Sequence, residues 1–124
     1  MRTDPLSVLL VEDDPDVLES TALVLEGEGF LVHSARDLAG ALTAARPGCV
    51  TLLDLSIEGD LSRFIPELRA LSHGPVLLFS AGERLSERAH ELGADGAVPK
   101  PFDVDRLVAL LRRAGDGAPL TMSW

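Results

Sequence analysis

Tyrosine is missing from this chain, tryptophan occurs once and phenylalanine four times in 124 residues. A core built from this sequence therefore rests on Leu, Val, Ala and Ile rather than on stacked rings. Cysteine also occurs once, as Cys49, so no intrachain disulfide can form. That residue opens an apolar run after Pro47-Gly48, where a buried, inert thiol is expected. Bases are scarce: 11 Lys and Arg stand against 20 Asp and Glu, a net charge of −9. This balance argues against direct nucleic-acid binding, which needs clustered cations, and against docking on an anionic membrane. No apolar run approaches membrane length. The opening "MRTDPLS" has no apolar signal core, so the chain reads as soluble and cytoplasmic. It has no internal repeats and no low-complexity segments.

What is present is enough for one compact domain: 46% of the residues are hydrophobic. Short apolar runs alternate with longer amphipathic segments. "SVLLV" (7–11), "FLVHS" (30–34), "VTLLD" (50–54), "PVLLFS" (75–80) and "GAV" (96–98) read as strands, the second of them nearer an edge. Helices are expected over 15–26, 37–45, 62–71, 85–92 and 103–114. In the first, Val17, Leu18, Leu23, Val24 and Leu25 form a rough apolar stripe. In the third, Ser62 as N-cap would put Pro66 in the first turn, where its missing N–H costs little. The last carries acids in its first turn and Arg112-Arg113 in its last, matching the macrodipole.

The alternation predicts a doubly wound (βα)5 α/β fold, a five-stranded parallel sheet between two helix layers. Residues 1–114 form the domain; residues 115–124 read as a tail or the start of a linker. In such sheets a site lies beyond the carboxyl ends of the strands, at the switch point.

The residues at those ends carry chemistry. The first strand delivers Glu12 and Asp13, and the third Asp54. The fourth delivers Ser80 ahead of the small pair Ala81-Gly82, and the fifth Lys100 between Pro99 and Pro101. Three carboxylates on a rigid rim suit a hard cation such as Mg2+ or Mn2+. Asp54 is then a plausible nucleophile toward phosphorus, with Ser80 and Lys100 positioned for phosphoryl oxygens. Asp14, before Pro15, reads as a helix cap rather than a ligand, with Asp16 in a dipole role. Taken singly, Glu12 and Asp13 would more often be solvated acids, and Lys100 a surface charge. Only their joint placement carries the reading. His33, His73 and His90 share no ligand spacing and read as ordinary surface or edge residues.

"VLLVEDDPDV", "VTLLDLSIEGD", "LLFSA" and "VPKPF" together resemble the motifs of CheY-like receiver domains of two-component response regulators, over about Ser7 to Ala114. The resemblance implies a flavodoxin-like three-layer sandwich with strand order 2-1-3-4-5, and that Glu12 and Asp13 hold Mg2+, joined by Asp54 and the backbone carbonyl of Ser56. It implies that Asp54 accepts a phosphoryl group from a sensor histidine kinase or a histidine phosphotransfer protein, and that Ser80 is the switch hydroxyl. Lys100 would contact the phosphoryl group, with Lys100–Pro101 as a cis peptide. Such a domain is a signalling switch that catalyses its own phosphorylation and dephosphorylation rather than an enzyme proper. It signals to a downstream effector that the sequence does not identify, in some cases as a homodimer through the face of helix 4, strand 5 and helix 5. Two positions depart from the pattern: Ala97 stands where an aromatic ring is usual, and Glu58 where proline is common.

Other readings compete. Phosphatases of the haloacid dehalogenase type carry a second Asp two residues after the nucleophile, where this chain has Ser56. A flavodoxin-like cofactor protein needs a phosphate loop after the first strand, where "EDDPD" would repel a phosphate. A receiver that only docks partners, independently of phosphorylation, finds some support in Ala97 and none in the intact Asp54, Ser80 and Lys100.

Overall fold

A computed structural model of the chain describes residues 5–82 and 84–117. The tail beyond residue 117 lies outside the described residues. Ten elements alternate without exception: β1 (Ser7–Val11), α1 (Pro15–Gly27), β2 (Leu31–Ala35), α2 (Leu38–Ala44), β3 (Val50–Asp54), α3 (Leu61–Ser72), β4 (Val76–Ser80), α4 (Leu85–Glu91), β5 (Gly96–Pro99) and α5 (Val104–Gly115). All strand pairs are parallel, in the order β2-β1-β3-β4-β5. Both the expected topology and the strand order are observed, with element ends shifted by a residue or so. No helix among the described residues is long and apolar enough to cross a membrane.

Strand alternation splits the core in two. Leu9 and Val11 of β1, Leu53 of β3, Val76 and Leu78 of β4 and Ala97 of β5 pack with residues of α2, α3 and α4. Val8 and Leu10, Val50 and Leu52, Leu77 and Phe79, and Val98 pack with α1 and α5 on the other side. Runs of consecutive apolar residues are required because both faces are covered; every residue of β3 is buried. Cys49 is buried and free, as expected. Thr51, on the α2–α4 side of β3, has the single buried side-chain polar atom without a partner among the described residues.

The helices show which sequence stripes face inward. α5 buries Leu107, Leu110, Leu111 and Ala114, and α3 buries Leu61, Phe64, Ile65, Leu68 and Ser72, both at helical spacing. In α1 the buried set is Leu18, Thr21 and Leu25. The stripe expected from Leu23 and Val24 is therefore wrong: both are exposed. Leu23 lies five residues after Leu18, about 140° around the helix, on the outer side. Asp14 caps α1 as expected, accepting from the amides of Asp16 and Val17 at 2.9 and 3.4 Å. The cap of α3 is Asp60, not Ser62. Asp60 accepts from the Ser62 hydroxyl and amide at 2.6 and 3.1 Å, which holds its carboxyl below the ordinary value. With α3 starting at Leu61, Pro66 falls in the second turn instead of the first. It is exposed there and leaves the carbonyl of Ser62 without its helical donor.

Candidate functional site

Chain order reverses between β1 and β3, and their carboxyl ends mark the switch point. Glu12 follows β1 directly. Its amide still donates to Ala35 O of β2 at 3.0 Å, so the acid stays in the frame of the sheet. Asp54 is the last residue of β3, level with Phe79 of β4. Ser80 ends β4 opposite Pro99, and its carbonyl accepts from the Lys100 amide at 2.9 Å. The Lys100–Pro101 peptide is cis, as expected.

The structure brings Glu12, Asp13 and Asp54 together: one carboxylate oxygen from each lies within 4.8 Å of the other two. Asp13 is exposed, while Glu12 and Asp54 are 2% exposed. Two carboxylates at that depth are costly without a partner. The partner is Lys100, whose Nζ donates to Glu12 Oε2 at 2.9 Å and lies 3.7 Å from Asp54 Oδ1. The ammonium also stands 4.4 Å from the centre of the buried Phe79 ring, which holds it from below. Burial pushes the Glu12 carboxyl above its ordinary value; the hydrogen bonds from Lys100 and the Asp14 amide oppose this, and Asp54 reinforces it. The cup is anionic, partly neutralised, and lined by hard oxygen donors. That donor set fits a divalent ion of the Mg2+ class.

Ser80 sits on the same rim, one strand from Asp54, and its hydroxyl oxygen accepts from the Gly82 amide at 3.0 Å. Because the hydroxyl acts as acceptor in that bond, its proton remains available for an incoming oxygen. Ala97 is fully buried in the cluster that also holds Leu85 and Ala89 of α4.

Two features escape sequence reasoning. One is the Glu12–Lys100 pair, which joins residues 88 apart. The signal available was that Lys100 is the only lysine of the chain. The other is the Ser56 side chain, whose hydroxyl donates to Asp54 Oδ2 at 2.8 Å while its amide donates to Oδ1 at 3.1 Å. The expected role of Ser56 concerned its backbone carbonyl alone.

A family model described as response regulator receiver domain matches residues 8–112. The KDP operon transcriptional regulatory protein KdpE of Escherichia coli (strain K12) is 37% identical over 113 residues, which are 87% of this chain and 50% of that protein. The probable transcriptional regulatory protein TcrX of Mycobacterium tuberculosis (strain ATCC 25618 / H37Rv) is 37% identical over 123 residues, 90% of this chain and 52% of that one. The chain thus spans about half the length of these curated relatives. Among solved structures, the non-phosphorylated HemR receiver domain from Leptospira biflexa matches with a TM-score of 0.72 and 28% identity, over 96% of this chain and 98% of that one. The receiver domain of the sensor histidine kinase PA1611 from Pseudomonas aeruginosa PAO1, solved with a magnesium ion coordinated in its active site cleft, matches with a TM-score of 0.77. At 23% identity, over 90% of this chain and 98% of that one, the PA1611 match speaks for the fold alone. With the family model covering nearly the whole chain, and with the strand order and acidic cup found independently, this chain belongs to the CheY-like receiver domains of two-component response regulators.

Proposed function

We propose that this receiver is a phosphoryl-accepting switch, modified at Asp54 by a sensor histidine kinase or a histidine phosphotransfer protein. The observation that carries the reading is the shared cup. Asp54 is buried at the end of β3, beside Glu12 and Asp13, with the Lys100 ammonium 3.7 Å from Oδ1. Glu12, Asp13, Asp54 and the Ser56 carbonyl would hold Mg2+ or Mn2+. The ion, when bound, supplies positive charge that screens the carboxylates from a phosphoryl group. The chain's own residues do the rest. Asp54 offers an oxygen to phosphorus as the P–N bond of the phosphohistidine breaks and the imidazole keeps the electron pair. Lys100 neutralises one phosphoryl oxygen, and Ser80 donates its free hydroxyl proton to another. Catalysis of this kind is positioning plus neutralisation.

In the same reading residues 1–114 are the receiver and 115–124 a tail or linker start. The domain acts in the cytoplasm, binds neither nucleic acid nor membrane directly, and passes its state to an effector. The candidate surface for that, or for a homodimer, is the α4-β5-α5 face. A second reading, a docking module independent of phosphorylation, is favoured by one observation. Ala97 is a buried methyl group in the α4 cluster, with no ring to swing between two positions. Intact-mass spectrometry with Mg2+ and acetyl phosphate separates the two readings. One added phosphoryl group in the native chain and none in Asp54→Asn is expected; no gain in the native chain leaves the docking module.

A further inference from the structure

β2 is an outer strand of the sheet, paired with β1 alone. The Leu31 amide donates to Leu6 O, and Ala35 O accepts from the Glu12 amide, both at 3.0 Å. In a parallel ladder alternate residues bond to one neighbour. The backbone groups of Leu31, His33 and Ala35 therefore turn toward β1, and those of Val32 and Ser34 turn outward. Nothing among the described residues pairs with the outward groups. Sheet edges are normally blunted by proline, charge or a bulge, or else covered. β5, the other outer strand, begins at Gly96 and ends at Pro99, which has no N–H. β2 reads LVHSA, with no proline, glycine, lysine or acid, and its register is unbroken. Leu31 on it is 51% exposed.

The segment after Gly117 has the pattern of a strand. Residues 118–124 read APLTMSW, without a charge, and Leu120, Met122 and Trp124 alternate with Thr121 and Ser123. α5 delivers this segment at the end of the sheet where β2 starts. Arg112 donates to Glu28 O at 2.9 Å and stands 4.8 Å from the centre of the Phe30 ring, just before β2. Gly115 lies so close to Leu6 that a Cβ there would clash with it. Gly117 takes the left-handed φ of +74° that suits a helix end. From Gly117 to Leu120 an extended chain covers about 10 Å, the width of two strand spacings.

We propose that residues 120–124 add to the outer edge of β2 as a sixth strand, parallel to it, and so close that edge to a second chain. Thr121 comes level with Val32. The Val32 amide then donates to Leu120 O, and the Val32 carbonyl accepts from the Met122 amide. The Ser34 amide donates to Met122 O, and the Ser34 carbonyl accepts from the Trp124 amide. Every outward backbone group of β2 is used. Leu120, Met122 and Trp124 come level with Leu31, His33 and Ala35 and share their α2 side, so they cover the exposed Leu31. Pro119 falls ahead of the ladder, where no N–H is needed. The connection also has the required hand. It steps across the sheet in the same direction as β1–α1–β2, and α5 lies on the same face as α1.

Trp124 is the only tryptophan of the chain, so acrylamide quenching of its fluorescence reports the segment, and amide hydrogen exchange followed by NMR reports the edge. The native chain is compared with Met122→Pro, which removes the donor to the Val32 carbonyl and changes no residue of the ten elements. In the native chain the Val32 and Ser34 amides are expected to exchange slowly, with Trp124 shielded. Met122→Pro is expected to speed both amides by about five-fold or more, the worth of one hydrogen bond. It also exposes Trp124 to the quencher and leaves the Leu31, His33 and Ala35 amides as they were. Val32 and Ser34 amides that exchange alike in the two chains overturn the proposal. If both are fast the edge is open, and if both are slow something else covers it, a second copy where the rate depends on protein concentration. A shielded Trp124 beside an unprotected edge overturns it as well, because the segment then packs elsewhere.

Discussion

Lys100 serves two carboxylates at once, and the geometry ranks them: Glu12 Oε2 is at hydrogen-bond distance and Asp54 Oδ1 is nearly an ångström further away. The ammonium is therefore a structural counter-ion first, 21% exposed and anchored on Phe79. Its approach to Asp54 is an ion-pair contact beyond hydrogen-bond distance. Replacing Lys100 by Met removes the cation and keeps the stem. Glu12 would then be left buried with the Asp14 amide as its remaining donor. Breaking a fully buried pair costs about 3–5 kcal/mol; with Lys100 partly exposed, a loss of about 1–3 kcal/mol is expected in urea unfolding at pH 7. The pH dependence has a definite sign. Burial already holds Glu12 above its ordinary value, so the native state takes up a proton more readily than the unfolded chain. This contribution to stability is lost as pH rises from the ordinary glutamate value through the raised one, and regained on acidification. Without Lys100 the Glu12 value rises further, and the gap between Lys100→Met and the native chain narrows from pH 7 toward pH 5. A gap constant with pH would show that Glu12 is not the group left exposed to the loss.

At the scale of single elements, the central strands were legible from the sequence because burial on both faces favours continuous apolar runs: "VLLV" (8–11) is unbroken before Glu12, and "VTLLD" is interrupted only by Thr51 before its terminal acid. The helices were less so. In α1, three apolar residues outside the buried triad, Val17, Leu23 and Val24, invited the wrong stripe, and Thr21 took a core position that its hydroxyl had concealed. In α3 two good caps compete, Asp60 and Ser62. The structure resolves this by hydrogen-bonding one to the other. That choice moves Pro66 inward by two positions and gives an element-scale prediction. Pro66 is exposed and packs on nothing that alanine would forfeit in the core. Pro66→Ala restores a donor for the Ser62 carbonyl and relieves the ring's clash with it. An interior proline costs a helix about 3 kcal/mol; because α3 has already accommodated this one, a gain of about 1–2 kcal/mol is expected, read as a higher urea midpoint with unchanged slope. No gain would mean that the helix has adapted fully to the ring. The clustering of the candidate site residues was legible for the same reason as the strands: Asp54 and Ser80 end one, and Glu12 and Lys100 directly follow one. The Glu12–Lys100 and Asp54–Ser56 bonds were not, because they depend on where side chains turn after the backbone has stopped.

For the molecule as a whole, acids outnumber bases 20 to 11, and three of the acids are crowded where the fold can least dilute their charge. Glu12, Asp13 and Asp54 meet at one end of the sheet, and a single ammonium lies among them. General self-repulsion and local repulsion in the cup respond differently to ions. Sodium chloride screens the surface over about 8–10 Å at physiological ionic strength and is expected to raise the thermal midpoint slightly. An ion held by the cup stabilises by mass action, about 2.7 kcal/mol at a hundred times its dissociation constant. For a domain of this size that is a shift of roughly 10 °C or more. Mg2+ should therefore raise the midpoint well beyond sodium chloride of the same ionic strength, with a saturating dose curve. Asp13→Asn, an exposed site whose change leaves the core intact, should abolish the excess and leave the salt response alone. If Mg2+ and sodium chloride act equally, the cup is only a patch of repulsion that Lys100 makes tolerable. If Mg2+ acts specifically and Asp13→Asn removes the effect, the acids are held together against their charge because a divalent ion completes them.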